Sequence, residues 1–70
     1  MAIDESEMET ARLRVAEGER HVSLQRQIID HLQEIGGSTE LAEQLLTEFQ
    51  QTLRRHRANQ DRIEAELKSS

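Results

Sequence analysis

Seventy residues without cysteine, and with Phe49 as the single aromatic, exclude a disulfide framework, a thiolate metal site and a large multi-domain enzyme. The formal charge of −5 excludes the strongly basic surface that nucleic acid or anionic lipid selects, so neither is expected as a partner. No apolar run approaches the roughly 20 residues that span a bilayer, and the start, MAIDESEMET, is acidic where an export signal is basic and then apolar, so the expectation is one cytoplasmic domain over residues 1–70.

The chain has no proline, and Leu, Glu, Gln, Arg and Ala, all strong helix formers, supply much of it. The fold class this predicts is all-α. Residues 1–5 are expected to fray. From Glu5 to Ile35 apolar residues recur at Met8, Ala11, Val15, Val22, Ile29 and Leu32, three and four apart once Gly18 and Gln25 are admitted to the series. Ser6 with Glu9 fits a capping box at the start, and Asp4 with Glu7 is an alternative. Leu24, Ile28 and Ile35 lie beside the first stripe and widen the apolar arc of the second half of this helix beyond what one partner helix can cover.

"EIGGSTELA", residues 34–42, places two of the three glycines ahead of two hydroxyls and a glutamate. A phosphate-binding loop needs a strand before it and a lysine directly after the last glycine, and both are missing. The turn reading assigns Gly36 the left-handed conformation that ends a helix, Gly37 the reversal, and Ser38 or Thr39 the cap of the next helix, with Glu40 against its positive end.

From Ser38 or Thr39 to about Lys68, the residues Ala42, Leu46, Phe49, Leu53, His56, Gln60, Ile63 and Leu67 alternate by three and four, with Leu41 and Leu45 alongside. Two helices of roughly 45 Å each, at 1.5 Å rise per residue, joined by only two or three residues, form an antiparallel two-helix hairpin (about 5–35 and 39–68). With Gly37 as pivot, contacting residues have numbers summing to about 74 or 75. That register puts Gly18 opposite His56, making the glycine a packing device. A lone hairpin leaves part of each stripe wet, so two copies are expected to pair into a dimeric four-helix bundle or coiled coil. Val22, Ile28, Ile29, Leu32, Leu46, Phe49, Leu53 and Ile63 are the expected core and interface.

Three further constellations bear on chemistry. Glu17 and His21 lie four apart on one helix face, and the register brings His56 within about a turn of them, so a Glu/His/His metal set is a geometric candidate. Against it, the inward positions are aliphatic and the Glu-x-x-His pairs of carboxylate-bridged di-iron bundles are missing. "RRHRANQDR", residues 54–62, spreads its arginines around the helix, where Arg57–Asp61, Arg62–Glu66 and Glu64–Lys68 are spaced for surface pairing. Ser23, the hydroxyl nearest His21, projects from an exposed polar face without the base and pocket a nucleophile needs. No catalytic residue and no cofactor are expected.

Over "AEGERHVSLQRQIIDHL" and "ELAEQLLTEFQQTLRRHRANQDRI", most of the chain, the sequence resembles a set of short helical-hairpin proteins of unknown function frequent in alphaproteobacteria, of the rhizobial and Rhodopseudomonas kind. The shared pattern is a Glu-x-x-His start, present here in the variant form Glu17-x-x-x-His21, then Gln25 or Gln27, a glycine-centred turn, a Leu-Leu pair, Phe49 and His56. The resemblance implies a bacterial origin and a helical hairpin, and carries no site residues. The leading expectation for function is a non-enzymatic homodimeric protein–protein interaction module. The alternatives are a regulatory hairpin that offers its wide arc to a larger signalling or transcription protein, and a metal-binding helical bundle at Glu17, His21 and His56.

Overall fold

A computed structural model describes residues 4–69. They form two helices, α1 (Glu5–Glu34) and α2 (Glu40–Ser69), packed along their lengths into an antiparallel hairpin. The resulting rod measures 54 × 14 × 14 Å. The expected fraying falls partly on residues 1–3, outside the described residues; Asp4 and Glu5 already belong to a formed helix start. Asp4 is the N-cap, extended at φ −100° and ψ 172°, and its side chain accepts from the Glu7 N–H at 2.9 Å. That is the second of the two starts the sequence allows, and it places Glu5 and Glu7 in the first turn, where their charge complements the helix dipole.

The end of α1 is a Schellman turn. Gly36 takes φ +73°, its N–H donates to the Gln33 carbonyl at 3.2 Å, and the Gly37 N–H donates to the Leu32 carbonyl at 2.8 Å. Two otherwise unpaired carbonyls of the last turn are thereby satisfied. No atom lies within 4 Å of a Cβ added at Gly36, so the need for glycine there is conformational alone. Gly36→Ala is expected to lower stability by about 1–2 kcal/mol in urea unfolding, and Gly36→Asn by less, because asparagine tolerates the left-handed region. Equal stability of the alanine variant would count against this reading of the turn.

The connection is longer than expected. α1 stops at Glu34, one residue early, α2 opens at Glu40, and Ile35–Thr39 lie between. Thr39 begins α2 through its carbonyl, which accepts from the Glu43 N–H at 2.8 Å; among the described residues neither the Ser38 nor the Thr39 hydroxyl makes the expected capping bond. Gly37 lies against Leu32, with its would-be Cβ 3.4 Å from Leu32 Cδ2, so the chain doubles back beside the last turn of α1 before α2 starts.

In the middle of the hairpin the nearest partners differ from the expected ones. Gly18 packs on Leu53 rather than His56, and His21 meets Phe49, giving sums of 71 and 70 in place of about 74. These two contacts fall one seam step earlier than a pivot at Gly37 requires, while Ala11 shares a cluster with Ile63 and Val22 one with Leu53, at the expected sums of 74 and 75. Because seam positions recur every three or four residues, this displacement keeps the same side chains inside and changes only their partners. The glycine remains a packing device: a Cβ at Gly18 would sit 3.0 Å from Leu53 Cδ1 and 3.4 Å from Leu53 Cβ.

Two apolar clusters fill the seam. Met8, Ala11 and Ile63, with Leu67 against them, close the terminal half; Val15, Val22 and Leu53, with Leu46 and Phe49, form the middle. Ile29 is buried nearer the turn and Leu32 is half-buried. Of the expected core and interface set, Ile28 alone stands outside the hairpin core, 49% exposed. Gln25 is the buried polar member: its Nε2 donates to the Ala42 carbonyl at 2.9 Å and ties the first turn of α2 to α1. Since a hydrogen bond at a buried site contributes about 1 kcal/mol net, with packing lost besides, Gln25→Ala is expected to cost about 1–2 kcal/mol. A urea midpoint unchanged from the native chain would refute that contribution.

Candidate interaction surface

The seam residues of both helices fix what lies on either side. A residue one position after a seam residue is rotated about 100° to one side of the helix, and a residue one position before it about 100° to the other. Antiparallel helices packed by their seams turn the same side toward the same face. The structure shows this for the residues that follow the seam: Glu19, Ser23, Arg26 and Asp30 of α1 line one groove with Arg54 and Arg57 of α2. The groove has a volume of about 690 Å³ and is open, polar and charged along its length.

The residues that precede the seam form the opposite face, and it changes character along the rod. At the terminal end Thr10 and Arg14 of α1 and Asn59 and Arg62 of α2 line a second polar depression. Arg62 is held there by Glu66 Oε1 at 2.9 Å and Asn59 Oδ1 at 3.0 Å. At the turn end the same positions are Leu24 and Ile28 on α1, Ile35 at its C-cap, and Leu41 and Leu45 on α2. Among the described residues these are five of the six exposed large apolar residues, between 39% and 79% exposed. The sixth, Leu13, stands apart from them in the terminal half of α1, on the outer side of that helix.

The arrangement sorts the sequence candidates. His21 lies on this second face with its ring tilted against Phe49, centroids 5.3 Å apart and planes at 36°. His56 sits half-buried on the seam and Glu17 is exposed. Among the described residues no three His, Cys, Asp or Glu side chains gather into a group able to hold a metal ion, so Glu17, His21 and His56 are not brought together. Leu53, not His56, lies nearest to Gly18. Ser23 opens into the charged groove on the face opposite His21. Of the three expected ion pairs on α2, Arg62–Glu66 is the one formed among the described residues.

The wide arc of Leu24, Ile28 and Ile35 was legible as an excess over one helix contact. The joining of Leu41 and Leu45 to it was missed, although the signal was present: Leu24, Ile28, Leu41 and Leu45 each immediately precede a seam residue, namely Gln25, Ile29, Ala42 and Leu46. The shared face follows from that offset once the helices are antiparallel. Among the described residues no helix is long and apolar enough to cross a membrane. No protein-family model, curated protein or solved structure matches the chain.

Proposed function

We propose that this chain is a non-enzymatic, homodimeric interaction module, an all-α hairpin whose second copy covers the turn-end apolar face. One observation carries the reading: among the described residues, five of the six exposed large apolar side chains are concentrated on one end of one face, contributed by both helices. Scattered singly, such residues would be ordinary; gathered as Leu24, Ile28, Ile35, Leu41 and Leu45 they mark a contact surface. Fully burying a Leu or Ile side chain is worth roughly 1.5–3 kcal/mol, and two copies together offer ten side chains, each part of the way from that limit. The association they drive is of the strength of a regulated, reversible contact.

The non-enzymatic part rests on the openness of both faces, whose charged groups stand in water where neither a nucleophile nor a general base is activated. A cytoplasmic setting accords with a chain that contains no cysteine. Because dimerisation stabilises the folded chain by mass action, the midpoint of thermal unfolding is expected to rise by several degrees as concentration goes from about 1 to about 100 µM. A midpoint independent of concentration would contradict self-association.

A further inference from the structure

Resting on that reading, we propose that the two copies overlap only at their turn ends and run in opposite directions, so that the dimer is a long rod displaying one terminal half of the hairpin at each end. The partner is a second copy of this chain, seated on Leu24, Ile28, Ile35, Leu41 and Leu45.

The distribution of side chains along the face selects this arrangement. The five apolar residues expose on the order of 500 Å², at the upper end of what a monomer normally shows in one patch. With the polar residues at their rim they approach the ~800 Å² per partner of a standard interface. They occupy only the turn end. Packed along the full rod, two copies would also take Thr10, Arg14, Asn59 and Arg62 out of water, and Arg62 is already satisfied by Glu66 and Asn59 within its own chain. Desolvating those groups opposes the contact, whereas overlap at the turn leaves all of them hydrated. Full-length antiparallel stacking is worse still, because it lays the apolar end of each copy on the polar end of the other.

A two-fold axis at right angles to the rod and near Ile28 lets Ile28 meet its own copy and Leu41 meet Leu45 across the interface, an isologous contact in which each patch covers the other. The functional consequence is bivalency. One dimer presents two identical charged ends, held apart by a stiff helical spacer, to whatever the terminal halves engage.

The native sequence has no cysteine, so Thr10→Cys introduces a unique thiol on the exposed polar end of this face for a nitroxide label. Thr10 is 18 residues from Ile28, about 27 Å of helix, so pulsed electron–electron double resonance on the labelled dimer is expected to give a distance of about 55 Å. A label at Asn59→Cys is expected to give about 50 Å. Distances under about 35 Å in a sample that sediments as a dimer would overturn the overlap geometry and leave the dimer itself standing. Sedimentation of both the labelled and the unlabelled chain as monomers would overturn both this proposal and the reading on which it rests.

Discussion

Leu53→Asp is expected to abolish folding at 25 °C, with the helical signal of the far-ultraviolet spectrum reduced to that of a largely unfolded chain. Leu53 is 6% exposed and sits in the middle cluster with Val15 and Val22, over the notch left by Gly18. Its side chain is pressed against Gly18, with Cδ1 3.0 Å from a Cβ built there, and against Val15 and Val22. A carboxylate in that apolar setting loses the packing and is partly desolvated, which together cost several kcal/mol. Truncation alone is milder: Leu53→Ala is expected to cost about 2–5 kcal/mol by removing the transfer energy and leaving a cavity against glycine, which cannot fill it. Small domains hold only about 5–15 kcal/mol in total, and one of this size sits near the bottom of that range. Native helicity with an unchanged melting midpoint in the Asp variant would show that the seam is not where stability resides.

Ile28→Glu is expected to act differently, weakening the dimer at least about 100-fold, equivalent to about 2.7 kcal/mol. Ile28 is half-exposed in the hairpin, and its neighbour Ile29 carries the buried contact, so glutamate at position 28 meets water in the single copy. In the dimer two such carboxylates enter an apolar patch related by a two-fold axis, where each is desolvated and faces its own like charge. The variant's helix content should therefore approach the native value at high concentration and fall on dilution. Ser23→Glu, on the charged groove face, is the matched control and is expected to leave the association constant within a factor of about two. If both variants associate as the native chain does, the contact surface lies elsewhere.

The parts of this molecule that periodicity governs are legible in its sequence. The two helices, the seam, the turn at Gly36 and the role of Gly18 as a space-maker all follow from the spacing of apolar residues and the backbone freedom of glycine. The partner of Gly18 did not follow. Seam positions repeat, and a shift of one step leaves every core residue in the core, so the pattern cannot distinguish His56 from Leu53 as the side chain opposite the glycine. What decides it is the packing itself, in which Leu53 Cδ1 comes within 3.0 Å of a Cβ at Gly18. The interhelical bond from Gln25 to the Ala42 carbonyl was hidden for the same reason, since a glutamine inside an apolar series announces a polar partner without naming it.

The contact face was half legible. An arc too wide for one partner pointed to a second contact on α1. Its extension over Leu41 and Leu45 needed the antiparallel geometry, which turns the residue before each seam position toward one side on both helices. The Glu17, His21 and His56 set failed through geometry: proximity along the rod is not convergence, and His21 turns to Phe49 while His56 stays in the seam.

Sedimentation equilibrium of the native chain decides whether a second copy covers the turn-end face. A mass of about 16 kDa is expected at tens of micromolar, twice the 8.1 kDa of one chain. A mass of 8.1 kDa maintained up to about 100 µM would contradict it.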